Sequence, residues 1–194
     1  MHFRMPRAPG LTVAACLAMN AAWADGGIAG YVYPGDGLVV IERSCELRSV
    51  LQAAPLYVSD LVRTGSASHA RIQIAGFGHL DLDPDTAVQV EAFYRSPNEI
   101  PTMSLLELSF QVGSARFVGV PRGEFDTRLG FGNAVLALRN ATIVIERQDM
   151  RARATLLDGE MNVTTRSGMA RHRVPAILPD LDYRAPRRSC REES

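Results

Sequence analysis

From Ala70 the chain alternates with a period of two. Ala70, Ile72 and Ile74 point one way, and Arg71 and Gln73 point the other. After a break at Gly76–Gly78, Leu80 and Leu82 oppose His79, Asp81 and Asp83, and then Val88 and Val90 oppose Gln89 and Glu91. Upstream, a polar turn at Ser59-Asp60 leads through Val62 to a second turn at Thr64-Gly65. This is the period of half-buried strands joined by tight turns.

The pattern recurs along the chain. Leu38 to Glu42 is a β-branched run after the turn cluster Pro34-Gly35-Asp36-Gly37. Leu106, Leu108, Phe110 and Val112 alternate with Glu107, Ser109 and Gln111, and Phe125, Thr127 and Leu129 alternate with Glu124, Asp126 and Arg128. From Ala134 to Ile145 the residues are apolar at both parities, which predicts a strand covered on both faces. Alternation resumes at Ala152, Ala154 and Leu156, with Arg151 and Arg153 outward. Asp158-Gly159 predicts a hairpin turn, and Met161 and Val163 return to the inner face.

Between Cys45 and Ala54 the pattern is ambiguous and admits a helical turn. Arg95 to Met103, with Pro97, Asn98 and Pro101, reads as a loop excursion. With no long amphipathic helix and turns about every 8–12 residues, the expected fold class is all-β: a sandwich, barrel or solenoid of short strands.

The ends differ from the middle. Arg4 and Arg7, an apolar run from Leu11 to Trp23 and Ala22-Trp23-Ala24 compose a secretory leader over residues 1–24. The alternative is the lipobox-like Val13-Ala14-Ala15-Cys16, in which Cys16 carries a lipid anchor. The β domain is expected over residues 25–168. Past Gly168, Pro175, Pro179 and Pro186 alternate with arginines, and residues 169–194 read as a Pro/Arg-rich flexible tail. No later stretch is long and apolar enough to cross a bilayer, so the expected location is the periplasm or outside the cell.

Charge narrows the classes of partner. Among 194 residues, 21 basic side chains, all Arg, balance 21 acidic ones. Without a basic excess there is no electrostatic case for nucleic acid. Removing the leader leaves Cys45 and Cys190, a disulfide candidate in an oxidising compartment. The alternative is a Cys45 packed in the core and a Cys190 in solvent.

Candidate chemistry is sparse. His79, Asp81 and Asp83 share one strand face, with Asp85 beyond Pro84, and offer oxygen ligands to a hard cation. They lack the Gly and the distant Glu of a calcium loop, and a solvated strand face is the simpler role. Ser68 and His69 are adjacent and point to opposite faces, so they do not make a nucleophile–base pair. Cys45 has no CxxC partner, and no phosphate loop or nucleophile elbow appears. Glu107 and Asp126 read as surface charges on their strands. No cofactor is implied.

Several short motifs, in order, resemble the FecR domain, a periplasmic module of ferric-citrate-type regulators that also occurs in stand-alone exported proteins. Gly30-Tyr31-Val32 is similar to the family's opening Gly-x-Val strand, and Ser59-Asp60-Leu61-Val62-Arg63-Thr64-Gly65 to its Gly-Asp-x-Val-x-Thr. Leu80-Asp81-Leu82-Asp83-Pro84-Asp85-Thr86 resembles Leu-x-Leu-x-Pro-x-Ser. Val112-Gly113, Phe125-Asp126-Thr127 and the Gly159-containing segment Leu157 to Val163 match later strands.

Two departures stand out. Ser59 replaces a Gly, and the Val-Arg-Gly-Thr tetrad becomes Leu138-Arg139-Asn140-Ala141-Thr142, where Asn140 tolerates left-handed backbone in place of Gly. The resemblance implies a twisted, solenoid-like or sandwich-like stack of short strands in the envelope. It singles out Asp60, Val62, Thr64, Arg139, Thr142 and Gly159. The anti-sigma segment, spanning helix and carboxy-terminal signalling domain of the regulators have no counterpart in this sequence.

The resulting expectation is a non-enzymatic exported module that binds an envelope protein or glycan, with Tyr31, Tyr33, Phe93 and Tyr94 as candidate contacts. About half of these aromatics are expected to serve in the core instead. The alternatives are an envelope enzyme acting on polysaccharide or peptidoglycan, and a structural accessory of a surface system.

Overall fold

The structure is a computed structural model, which describes residues 27–95, 104–121, 127–131, 134–148, 151–165, 168–173 and 176–178. The leader, Cys16, Cys190, most of the 95–103 loop, Phe125, Asp126 and the end of the tail lie outside the described residues.

Fourteen strands are described, and no helix. They are β1 (Gly30–Pro34), β2 (Val39–Arg43), β3 (Glu46–Ser49), β4 (Ala54–Leu56), β5 (Leu61–Thr64), β6 (Ala70–Ile74) and β7 (Gly78–Leu82). They continue as β8 (Ala87–Arg95), β9 (Ser104–Gly119), β10 (Thr127–Phe131), β11 (Ala134–Gln148), β12 (Arg151–Thr165), β13 (Gly168–Arg173) and β14 (Ala176–Leu178). All belong to one open mixed sheet, antiparallel except between β9 and β10.

The alternation read between Ala70 and Val90 appears as buried Ala70, Ile72, Ile74, Leu80, Leu82, Val88 and Val90. Leu106, Leu108 and Phe110 are buried in the same way.

Three long strands organise the sheet. The first half of β9 pairs with β8 on one edge and β10 on the other. Beyond Gly113 it pairs with β7 and β11. Likewise β11 pairs with β10 through residues 134–138 and with β9 through residues 142–147. β12 follows β11 along its length while exchanging β14 for β13. Each exchange occurs at a left-handed residue: Gly113 at φ 99°, Asn140 at φ 48° and Gly159 at φ 89°. The apolar faces of both halves enter one buried cluster, with Val62, Leu108, Leu136 and Met161 from one and Val32, Ile72, Phe117 and Ile143 from the other.

Four sequence expectations change. Asp158-Gly159 makes no hairpin. The residues on both sides stay paired to β11, and the dipeptide sits at a bulge inside β12, opposite Arg139–Thr142. A Cβ on Gly159 would fall within the Asn140 carbonyl, so the ladder itself demands glycine. The Ala134–Ile145 run is not covered on both sides. Its burial alternates, and Val135 is 36% exposed, because only one face of β11 looks into the core.

The Cys45–Ala54 stretch has no helical turn. Ser44 and Cys45, both at positive φ, make a two-residue turn from β2 into β3. Every side chain of β3 is exposed, so no alternation was there to read. Finally, β13 and β14 pair with β12 inside the stretch assigned to the tail.

Candidate functional site

The motif residues form three knots. In the first, Asp60 is 1% exposed, and its carboxylate accepts two hydrogen bonds from Arg43, Nε to Oδ1 and Nη2 to Oδ2, both at 2.7 Å. It also accepts the Tyr57 N–H at 2.8 Å. The guanidinium donates to the Pro55 carbonyl at 3.2 Å and lies 4.3 Å from the Tyr57 ring centre. The hydrogen bond to Asp60 raises the Arg43 pKa above its ordinary value, more than partial desolvation lowers it. Ser59 sits at φ 73°, a left-handed backbone that glycine adopts more readily than serine. The result pins the β2–β3 hairpin to the turn before β5. Arg43 and Tyr57 were not singled out in the sequence, because nothing local links a residue to a carboxylate 17 positions away.

In the second knot the buried Thr64 hydroxyl donates to the Asp83 carbonyl at 2.6 Å and accepts the Thr86 N–H at 2.9 Å. Thr86 Oγ1 accepts the Ser114 N–H at 3.0 Å and donates to the Ser114 carbonyl at 2.9 Å. The Pro84-Asp85 turn is thereby tied to the bend of β9, and Val62 packs fully buried beside it. In the third, Arg139 pairs with Glu160 across the β11–β12 bulge, with Asn140, Thr142 and Gly159 around it. All six motif residues therefore lie in turns, bulges or core.

His79, Asp81 and Asp83 do share a face, but each carboxylate is engaged. Arg71 grips Asp81 at 2.6 and 3.1 Å, His79 Nε2 stands 3.6 Å from it, and Ser114 Oγ donates to Asp83 at 2.7 Å. Among the described residues no group of three or more His, Cys, Asp or Glu side chains is placed to hold a metal ion. Ser68 is buried and accepts the Leu38 N–H at 2.7 Å, while His69 is exposed, so the two do not cooperate.

The outward side of β1, β6, β7 and the second half of β9 is a largely polar surface built from cross-strand rows. One row runs Tyr31–Gln73–His79–Val118 and the next Tyr33–Arg71–Asp81–Arg116. A third joins Asp83 to Ser114, Glu146 and Arg153. Arg71, Arg116 and Arg153 offset Asp81, Asp83 and Glu146 in charge. Tyr31 and Tyr33 are 42% and 44% exposed. Tyr94 is also exposed, whereas Phe93 packs on the core edge-to-face with Phe77 at 5.8 Å. Where the third row ends, Ser114, Glu146 and Arg153 line an open cleft of about 640 Å³ with Asp85 and the buried Arg147. Arg147 Nη1 donates to the Phe110 carbonyl at 2.9 Å.

On the other half, partial burial and, secondarily, the Glu107 charge push the Glu91 pKa up, against a hydrogen bond from Ser109. A raised carboxyl pKa adds stability at low pH that is lost as pH rises from the unfolded value near 4.5 through the folded one. Carboxyl NMR titration is expected to place Glu91 above ordinary glutamates. Glu107→Gln should bring it only part of the way back, since desolvation is the larger cause, and should flatten the matching fall in stability. An unchanged Glu91 titration in that variant would refute the pairing.

Cys45 is disulfide-bonded. The other cysteines, Cys16 and Cys190, lie outside the described residues. In comparisons with known proteins, no family model matches the chain, and no curated protein or solved structure matches it significantly.

Proposed function

We propose that this chain is a non-enzymatic exported envelope module, FecR-like in its motifs, that binds a protein or glycan partner through one face of its sheet. In this reading the sheet folds over at Gly113, Asn140 and Gly159 into a sandwich-like stack, which accounts for two apolar faces meeting in one core. The observation that carries it is a division of labour. The polar residues of the motifs are occupied in holding turns and bulges, while exposed tyrosines and hydrogen-bonding groups stand on the outer face of β1, β6 and β7. The test is capture from envelope extracts with the mature protein as bait. Recovery of one protein or polymer, lost when Tyr31 and Tyr33 are truncated, is expected; repeated recovery of nothing would overturn the reading.

A second reading, an enzyme acting on envelope polysaccharide or peptidoglycan, draws on the cleft with Asp85 and Glu146. It requires turnover of such polymers that Glu146→Gln abolishes.

The exported state also assigns the disulfide. With the leader removed, Cys190 is the cysteine left for Cys45, and their bond closes a very long loop. In the chain-entropy model that is worth about 4–5 kcal/mol. Peptide mapping without reduction is expected to recover the two cysteines on one linked fragment, and reduction to lower the unfolding midpoint. Alkylation of Cys45 in the unreduced protein would contradict the assignment.

A further inference from the structure

We propose that the outer face of β1, β6, β7 and the second half of β9 is a binding platform for a neutral polysaccharide chain. This rests on the binding-module reading and names its ligand class. Tyr31 and Tyr33 stand two residues apart on β1, roughly 7 Å along the strand, with both rings exposed. Such rings offer large, rigid, amphipathic contact area at low entropic cost, and the C–H faces of sugar rings fit against them.

In register beyond the tyrosines lie groups suited to hydroxyls. The Arg71–Asp81 fork, closed at 2.6 and 3.1 Å, holds a guanidinium and a carboxylate in fixed relation. The Gln73 amide nitrogen is tied to the Gly78 carbonyl at 2.9 Å, which fixes the side chain and leaves its oxygen to accept. Arg116 completes the row, about 14 Å from β1 across three strand spacings.

Charge decides against other occupants. Arginines and carboxylates alternate and offset one another on this surface, so a polyanion meets no positive excess. The middle of this surface carries the carboxylates of Asp81 and Asp83, and acidic side chains are depleted where protein interfaces are centred.

The test is native electrophoresis of the full chain through gels containing a soluble neutral β-glucan, with polyglutamate as a charged control. Retardation by the glucan is expected to survive added salt. It should weaken by at least about tenfold in affinity in Tyr31→Ala/Tyr33→Ala, a loss of ~1.4 kcal/mol, and persist in Leu47→Ala on the β2–β3 hairpin. If the double tyrosine variant does not melt like the parent, Arg71→Gln carries the same test. Absence of retardation by every member of a panel of neutral α-glucans, β-glucans and chitin oligosaccharides overturns the proposal, as does retardation unchanged in both variants. Capture of an envelope protein by the parent but not by the tyrosine variant would overturn the polysaccharide assignment alone. If no ligand of either kind depends on this face, the binding-module reading falls with it.

Discussion

Arg43→Met is expected to lower the free energy of unfolding by about 3 kcal/mol in urea at neutral pH. Methionine covers much of the volume of the arginine stem but leaves the Asp60 carboxylate, 1% exposed, without its guanidinium and with the Tyr57 N–H still donating to it. Removing one member of a buried pair costs about 3–5 kcal/mol because the other charge stays buried without compensation. The low end applies because the Arg43 side chain is itself 34% exposed and partly screened by water. Asp60→Asn should cost less, about 1–2 kcal/mol. Its one oxygen can stand where Oδ2 does and accept from Tyr57 and Arg43 Nη2, its NH2 loses the bond from Arg43 Nε, and the guanidinium can turn toward solvent. The double variant should lose less than the sum of the two single ones. Equal losses in the two single variants would show that the asymmetry of burial does not govern this knot.

Gly159→Ala is the second large effect, with an expected loss of at least about 3 kcal/mol. At φ 89° an L-residue carries a torsional cost of about 1–2 kcal/mol. The added methyl would also enter the Asn140 carbonyl and stand 2.7 Å from the Ala141 Cα, so backbone must move in the ladder that spans β11 and β12. Gly168→Ala separates the two causes. Its φ is 139°, yet nothing lies within 4 Å of the new methyl, so only the torsional part should appear. Thermal unfolding of the pair is expected to show the larger drop at residue 159. Similar drops would mean that the bulge yields to the methyl.

Residues differ in how plainly the sequence announced them. Ala70 to Ile74 and Gly78 to Leu82 were legible because one face of each strand meets the core and the other meets water, and that contrast is written in the residues themselves. β3 was illegible because none of its side chains is buried; what defines it is its hydrogen bonding to β2. Asp158-Gly159 was misread because a hairpin and a bulge both need a residue at positive φ, and only the pairing on either side distinguishes them. Asp60 was picked out by its motif, but its role as an acceptor for Arg43 was not, since the partner lies on another hairpin. The tyrosines were named as contacts in the sequence; the rows that join Tyr33 to Arg71, Asp81 and Arg116 depend on register between strands far apart in the chain.

The sequence by itself determined the all-β class, the inward and outward parity of most strands and several of the places where the chain turns. These follow from the two-residue period of the pleat and from the backbone preferences of Gly, Pro, Asn and Asp, which act within a few residues. The tertiary structure alone decided that β9, β11 and β12 serve both halves of the sheet, that Arg43 closes on Asp60, and that the acidic row is gripped by Arg71 instead of standing open. Each of these joins residues whose meeting depends on strand pairing and loop closure across the whole chain. A local pattern states which face of a strand is apolar, and the neighbour that face or edge receives is settled only when the full set of strands packs together.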